Sequence, residues 1–332
     1  MSLSSRLLFF ITLMLGTFIA VSSSSWFSAW MGLELNLLSF IPIISSSSNI
    51  YSSEASLKYF LIQALASAIL LIGAPALILF KVLPNVFILM SLLMKMGAAP
   101  VHFWFPTVMQ GIKWNYCLIL MTIQKIAPML LVSSLIYSNW TFYMICLSSI
   151  LSSLIGALSG LNQTLLRKIM AYSSINHMAW MLAAIPFNMN IWFNYFIIYS
   201  LMSASVVALL YFLQAYHFNQ MSMFSTSLTF MKVLVSFSLL SLGGLPPFLG
   251  FIPKMMIIQL LSAQNMFLWM LILLFSALLT LFYYLRMILM SFTLSSPKIK
   301  ILIKKNNYLL LYSFSYLNLS PLIIPFLTFI PF

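Results

Sequence analysis

Four charged side chains interrupt apolar stretches of this chain: Glu34, Lys95, Lys125 and Lys254. A lysine at the centre of a membrane helix costs roughly 2.5–3.5 kcal/mol on insertion scales, and a carboxylate there must be neutral, paired or hydrated. Burial favours the neutral amine and a nearby carboxylate favours the protonated one, so the proton affinities of neighbouring groups depend on one another. One acid with several amines at similar depth therefore predicts stepwise proton transfer inside a membrane.

Less specific explanations exist for the same residues. Lys95 could extend its amine towards the membrane surface beside a kink, and Glu34 could form a purely structural ion pair with Lys95 or Lys125. His102 and His177 also lie among apolar residues. Histidine can relay protons near neutral pH, so both are candidate relays. A histidine hydrogen-bonded to a serine or a carbonyl is just as common in a helical bundle.

Two Gly/Pro interruptions lie close to buried lysines. The first is Gly97–Pro100, which follows Lys95, and the second is Gly243–Pro247, which precedes Lys254. Proline has no N–H to donate to a helix, and unpaired backbone groups cost several kcal/mol each in hydrocarbon. We therefore expect both interruptions to be non-helical and buried in protein, where the freed backbone groups can find partners.

The composition is that of a polytopic membrane protein. Of 332 residues, 63% are hydrophobic and 5% are charged, with a mean hydropathy of +1.09, whereas a soluble domain carries about 25% charged residues. The net charge of +13 is spread over short loops, which argues against nucleic-acid binding. Cys117 and Cys146 lack metal-site spacing and are interpreted as packing residues. Without a haem, iron–sulfur, flavin or phosphate-loop pattern, we expect the chain to hold no cofactor or metal and to catalyse no redox reaction alone.

Apolar runs separated by Ser, Asn and Pro segments predict eleven transmembrane helices. Their predicted ranges are 3–22, 26–44, 56–80, 85–110 (broken), 115–136, 141–159, 169–186, 191–216, 228–262 (broken), 265–291 and 308–331. With this topology, eleven Lys and Arg residues lie on the side of the N-terminus, and Lys81 alone lies on the other. This split is a strong positive-inside signal, and the odd helix number puts the C-terminus on the opposite side.

The two broken helices are the fourth and the ninth. An odd shift of five helices reverses the direction through the membrane, so it predicts an inverted repeat. Gly/Pro-interrupted helices at matching positions of two halves are typical of transporters. We therefore predict an all-α fold with antiporter-like inverted repeats. Its parts are a first five-helix unit at 1–136, a second at 141–291 and a C-terminal transmembrane helix at 308–332.

Several segments together resemble the subunit 2 family of mitochondrial NADH–ubiquinone oxidoreductase (respiratory complex I), in an insect-like form. They are Trp30–Asn36, Glu54–Phe60, Lys95–Pro106, Gln124–Pro128, Gly160–Thr164, Ser173–His177 and Gly243–Lys254. The resemblance covers nearly the whole chain, and Tyr308–Phe332 is its least distinctive part. It implies a proton path through Glu34, Lys95, Lys125 and Lys254.

The resemblance also implies partners and a location. Other membrane-arm subunits and phospholipids would surround the chain in the mitochondrial inner membrane, with the positive-rich N-terminal side facing the matrix and the C-terminus facing the intermembrane space. Flavin, iron–sulfur clusters and ubiquinone would lie in other subunits, where quinone reduction would drive proton movement here. Two other classes stay open: a stand-alone cation/proton antiporter, and a passive membrane spacer. The costly buried charges speak against a spacer.

Overall fold

The computed structural model describes residues 3–45, 49–77, 83–136, 138–221 and 229–293. The helices are α1 Leu3–Ser22, α2 Trp26–Ile44, α3 Ile50–Ala76, α4 Leu83–Met96, α5 Trp104–Gly111, α6 Trp114–Met121, α7 Ile123–Ser133, α8 Asn139–Leu161, α9 Leu166–Ala184, α10 Met189–Phe212, α11 Thr229–Gly243, α12 Phe251–Ala263 and α13 Phe267–Thr293. A 3-10 helix at Phe218–Met221 and an isolated antiparallel bridge between Leu165 and His217 complete the regular structure of these ranges. The all-α prediction is confirmed, whereas the predicted helix at 308–331 lies outside the described residues.

The helices are apolar where they face outward. Seven segments of the described chain are long and apolar enough to cross a membrane: α1, α2, α3, α6 with α7, α8, α10 and α13. On α13, the side chains of Phe275, Leu278 and Phe282 are exposed, as expected of residues that face lipid or another subunit. Helix α9 is less apolar, and its residues 173–184 are all buried. Because protein encloses it, α9 does not need an apolar outer surface.

The third helix begins earlier than predicted. Helix α3 starts at Ile50 rather than at 56, since the carbonyl of Asn49 accepts hydrogen bonds from the N–H of Ser52, at 3.1 Å, and from its hydroxyl, at 2.7 Å. Glu54 therefore lies inside the helix. It forms an ion pair with Lys58, with 2.6 Å between Glu54 Oε1 and Lys58 Nζ on the exposed surface.

The fifth predicted helix, 115–136, is divided in the structure. Helix α6 ends at Met121 and α7 begins at Ile123, because the backbone of Thr122 (φ −115°, ψ −78°) departs from helical values. The Thr122 hydroxyl donates to the carbonyl of Leu118 at 2.8 Å, a local bond of the kind that bends helices. The sequence did not predict this division, which lies in the turn that precedes Lys125.

The chain forms two compact units, Met1–Ser152 and Ser153–Phe332. In the first unit, α1 packs along α2, and α3 packs against α2, α4 and α5. A Cβ atom on Gly16 of α1 would lie 2.8 Å from the backbone nitrogen of Asn36 on α2. Glycine is therefore required at this point for the two helices to approach so closely.

The second unit contains the same kind of helix crossing. A Cβ atom on Gly156 of α8 would lie 2.8 Å from the backbone nitrogen of Asn176 on α9, and this pair has the same spacing along the chain as Gly16 and Asn36. Helix α9 packs against α10, α12 and α13. The chain order also repeats, since three helices precede a divided helix and a fifth segment in both cases. The predicted domain limits at 1–136, 141–291 and 308–332 stay a prediction.

Candidate functional site

The first helix break begins at Gly97, the residue directly after α4. Gly97 has a φ of +73°, which favours glycine. The N–H of Gly97 donates to the carbonyl of Met94 at 3.1 Å, and the N–H of Ala98 donates to the carbonyl of Leu93 at 3.0 Å. This pair of bonds is the Schellman motif that closes helix C-termini. It fixes the last turn of α4, which carries Lys95.

Side chains satisfy the carbonyls that the break releases. The indole N–H of Trp104 donates to the carbonyl of Met94 at 3.1 Å, and the amide of Gln63 donates to the carbonyl of Lys95 at 3.2 Å. Nδ1 of the buried His102 donates to the carbonyl of Pro100 at 3.2 Å. The structure therefore gives His102 a role in closing the break, while its role as a proton relay stays a prediction.

The expectation of non-helical breaks is confirmed, since residues 97–103 and 244–250 are non-helical, although Gly243 still belongs to α11. The expected burial is confirmed for Gly97–Ala99 and is wrong for the second break, where Gly244 and Leu245 are only half-buried. Pro100, Pro246 and Pro247 are exposed. Because proline has no N–H, its exposure leaves fewer polar backbone groups to satisfy than exposure of another residue would.

Lys95 is a buried amine without a direct partner. Its side chain is 6% exposed, and Nζ has no hydrogen-bond partner among the described residues. Glu34 on α2 is half-buried and lies within electrostatic range of both Lys95 and Tyr59. The predicted acid and amine therefore interact electrostatically, and within the described part of the chain they do not form the ion pair of the purely structural explanation.

Lys125 lies in the first turn of α7, directly after the division at Thr122. It is 1% exposed, and its Nζ lies 4.9 Å from the centroid of the Phe105 ring. A cation over an aromatic face is stabilised by the ring quadrupole. This contact joins α7 to α5, the helix that follows the first break. Lys95 and Lys125, the two lysines of the proposed path in the first unit, therefore both lie beside that break.

An amide network in the first unit was not predicted. The Gln124 side-chain amide donates to Oδ1 of Asn36 at 2.8 Å, and the hydroxyl of Tyr59 donates to Oε1 of Gln124 at 3.2 Å. The three residues lie on α2, α7 and α3. The signal that would have identified them is the presence of Asn and Gln in otherwise apolar helices, where unpaired amides are costly.

In the second unit, Lys254 binds the end of the broken helix. Its Nζ donates to the carbonyl of Gly243, the last residue of α11, at 2.8 Å, and lies 5.9 Å from the Trp180 ring centroid. Gly244 has a φ of +76°, and its N–H donates to the carbonyls of Leu240 and Ser241, both at 3.1 Å. Lys254 is therefore a lysine that caps a helix C-terminus.

His177 is buried in a group of aromatic hydroxyls within the second unit. Its Nδ1 lies 2.9 Å from the hydroxyl of Tyr195, and its ring centroid lies 5.0 Å from that of Tyr199. Elsewhere in this unit, Tyr283 and Tyr284 contact edge to face at 4.7 Å. The sequence alone did not predict a role for these tyrosines. The relay role of His177 and the predicted path from Lys125 to Lys254 stay predictions.

The chain is similar to known membrane proteins. The family model described as NADH:quinone oxidoreductase/Mrp antiporter, transmembrane, matches residues 23–280. NADH-ubiquinone oxidoreductase chain 2 of Anopheles gambiae is 47% identical over 308 residues, which are 90% of this chain and 89% of that protein. The protein of the same name from Aedes aegypti is 46% identical over 322 residues, which are 94% and 91% of the two chains.

A solved structure shares the fold. A chain of respiratory complex I from Thermus thermophilus superimposes with a TM-score of 0.85 at 24% sequence identity, covering 97% of this chain and 78% of that one. The predicted antiporter-like fold class is confirmed, and so is the insect-like resemblance. The chain therefore belongs to the NADH:quinone oxidoreductase/Mrp antiporter transmembrane family and, within it, to the NADH-ubiquinone oxidoreductase chain 2 family.

Proposed function

We propose that this chain is a proton-translocating subunit of the membrane arm of mitochondrial NADH–ubiquinone oxidoreductase. The observation that carries the proposal is the amine of Lys95, which lies buried beside a helix break without a hydrogen-bond partner in the described part of the chain, within electrostatic range of Glu34. Buried ionisable residues in membrane helices mark proton and ion pathways. The relatives named NADH-ubiquinone oxidoreductase chain 2 support the assignment to that enzyme.

In this mechanism Lys95 is the group that takes up and releases the transported proton. The neutral amine of Lys95 accepts a proton and becomes an ammonium, which the nearby carboxylate of Glu34 stabilises. Movement of Glu34 away from Lys95 weakens that stabilisation, and the proton passes to the neutral amine of Lys125. Lys125 then passes it towards Lys254, with His102 and His177 as candidate relays.

No redox step is assigned to this chain. Flavin, iron–sulfur clusters and ubiquinone belong to other subunits of the proposed enzyme, and quinone reduction there supplies the driving force. The proposed location is the mitochondrial inner membrane, among other membrane-arm subunits and phospholipids. The unequal distribution of Lys and Arg supports an N-terminus on the matrix side and a C-terminus on the side of the intermembrane space.

A stand-alone cation/proton antiporter is the second candidate. The family description includes Mrp antiporters, but the relatives at 46–47% identity carry the name of the NADH-ubiquinone oxidoreductase subunit. A passive spacer is disfavoured because Lys95, Lys125 and Lys254 are all buried, where apolar residues would insert at lower cost.

The test is the proton uptake per electron pair of the assembled complex. Lys95→Met keeps the apolar stem and removes the titrating group, so transfer through this path should fall by roughly 10²-fold or more while the complex still assembles. Glu34→Gln should also lower it, and the double change should be far from additive. The matched control is Lys58→Met, which removes a lysine that is about half exposed and should leave pumping unchanged.

Two results would count against the proposal. Normal pumping by a fully assembled Lys95→Met complex would eliminate Lys95 as the transporting group. If instead each single change damaged assembly and the double change restored it, Glu34 and Lys95 would be a structural pair.

A further inference from the structure

The amide network of the first unit joins the helices that carry the proposed proton-transfer groups. Gln124 lies next to Lys125 in the first turn of α7, and its amide donates to Asn36 on α2 at 2.8 Å. Asn36 lies two residues after Glu34. The hydroxyl of Tyr59 on α3 completes the network by donating to Gln124 at 3.2 Å. One side chain therefore connects the helix of the acid with the helix of the second amine.

The contacts of Asn36 restrict how α2 can rotate. Its side chain is 2% exposed and accepts from Gln124, while its backbone nitrogen lies against Gly16 of α1. Asn36 is thus held from two sides. Rotation of α2 about its axis would break the bond to Gln124 and would also change the direction of Glu34. The bond at Asn36 consequently holds the rotation of the turn of α2 that carries Glu34.

The bond at Gln124 has a corresponding effect on α7. The division at Thr122 interrupts the helical ladder between α6 and α7, so α6 alone does not determine the rotation of α7. The side chain of Gln124, two residues beyond Thr122, makes hydrogen bonds to both α2 and α3. These bonds hold the first turn of α7 in place, and with it the amine of Lys125.

The second unit contains a hydrogen bond to Asn176 that partly matches the bond to Asn36, so the two units can be compared. Asn176 has the same crossing with Gly156 that Asn36 has with Gly16. Its Oδ1 accepts from the hydroxyl of Ser276 on α13, the fifth segment of that unit, at 3.1 Å. Two residues before Asn176 lies Ser174, at the place that Glu34 occupies in the first unit. The same bond thus occurs where no carboxylate needs to be oriented.

We propose that Gln124, held between Asn36 and Tyr59, is a positioning residue that keeps Glu34 and Lys125 in the arrangement required for proton transfer. This proposal rests on the proposed function. Gln124 itself takes up no proton in it. The amide sets the geometry of two groups that do, and misplacement of catalytic groups by about 1 Å can lower a rate by roughly 10²-fold.

The experiment compares variants of the assembled complex at equal amounts of complex. Gln124→Met has a similar length and removes both hydrogen bonds, and Tyr59→Phe removes one. Proton uptake per electron pair should fall about 2- to 10-fold in Tyr59→Phe, the factor that one net hydrogen bond represents, and at least as much in Gln124→Met. The pH profile of proton uptake should be displaced in both variants. The matched control is Ser276→Ala, which removes the bond to Asn176 and should leave the pH profile unchanged.

The outcomes separate this proposal from the proposed function. If Lys95→Met abolishes pumping while Gln124→Met and Tyr59→Phe keep normal pumping and a normal pH profile, the positioning role is wrong and the function stands. If Lys95→Met pumps normally, the function itself is wrong. Should Gln124→Met fail to assemble, Tyr59→Phe decides the question. An equal displacement of the pH profile by Ser276→Ala would also overturn the proposal, since the effect would then be general.

Discussion

Replacement by methionine should destabilise the second helix break when it is made at Lys254, but should not destabilise the first break when it is made at Lys95. Lys254 donates a hydrogen bond of 2.8 Å to the carbonyl of Gly243, whereas Nζ of Lys95 has no hydrogen-bond partner among the described residues. Lys254→Met therefore leaves a buried carbonyl at the end of α11 without its side-chain donor. Lys95→Met removes a buried polar group and leaves the hydrogen bonds of the first break intact.

The expected magnitudes follow from these contacts. The bond of Lys254 should contribute between roughly 0.5 and 3 kcal/mol, depending on whether the amine is neutral or protonated. Its loss should increase local opening of the second break by about 2- to 150-fold. For Lys95→Met the free energy of opening the first break should be unchanged or slightly higher, because an unpaired buried amine is itself costly.

Hydrogen exchange of the assembled complex measures both quantities. The amide of Gly244 reports on the second break and that of Gly97 on the first, because each donates to its preceding helix. We expect faster exchange at Gly244 in Lys254→Met and unchanged or slower exchange at Gly97 in Lys95→Met. Equal acceleration at both sites would refute the reasoning, since it would mean that Lys95 stabilises its break as much as Lys254 does.

Two further predictions concern the second break and the topology. Gly244→Ala should introduce roughly 1–2 kcal/mol of backbone strain and therefore lower the yield of assembled complex. The reason is that Gly244 has a φ of +76° and that a Cβ atom there would lie 2.9 Å from Lys254 Nζ. The matched control is Gly243→Ala, whose nearest neighbour would be 3.6 Å away, and equal yields of the two variants would contradict this explanation. Cysteine labels in the loops at 160–168 and 298–305 should react from the same side of oriented vesicles, as the charge distribution predicts. Labelling from opposite sides would reject the predicted helix count.

Much of the fold was predictable because the signals are local. Apolar length alone identifies a membrane helix, so α1 and α2 have the predicted limits of 3–22 and 26–44. The position of each break was equally clear, since only glycine readily adopts the positive φ found at Gly97 and Gly244. The limits were less certain where side chains bond to backbone groups, as the Ser52 hydroxyl does with the Asn49 carbonyl at the start of α3.

The chemistry of the site was predictable in its members but not in its contacts. A charged residue in an apolar helix is visible in the sequence, because its cost does not depend on which helix lies beside it. Whether it has a partner depends on residues far away in the chain. The sequence showed Lys95 and Lys254 as similar lysines beside similar breaks. Only the tertiary structure distinguished them, since Lys254 caps a helix and the amine of Lys95 has no hydrogen-bond partner among the residues described.

The sequence by itself determined that this chain is a helical membrane protein with two interrupted helices and a small set of buried charges. Those properties follow from composition and from local backbone preferences. The tertiary structure alone decided that Asn36, Gln124 and Tyr59 form one network, and that α7 begins anew after Thr122. Hydrogen bonds between distant helices require positions and angles that packing sets, and no pattern along a single helix specifies them.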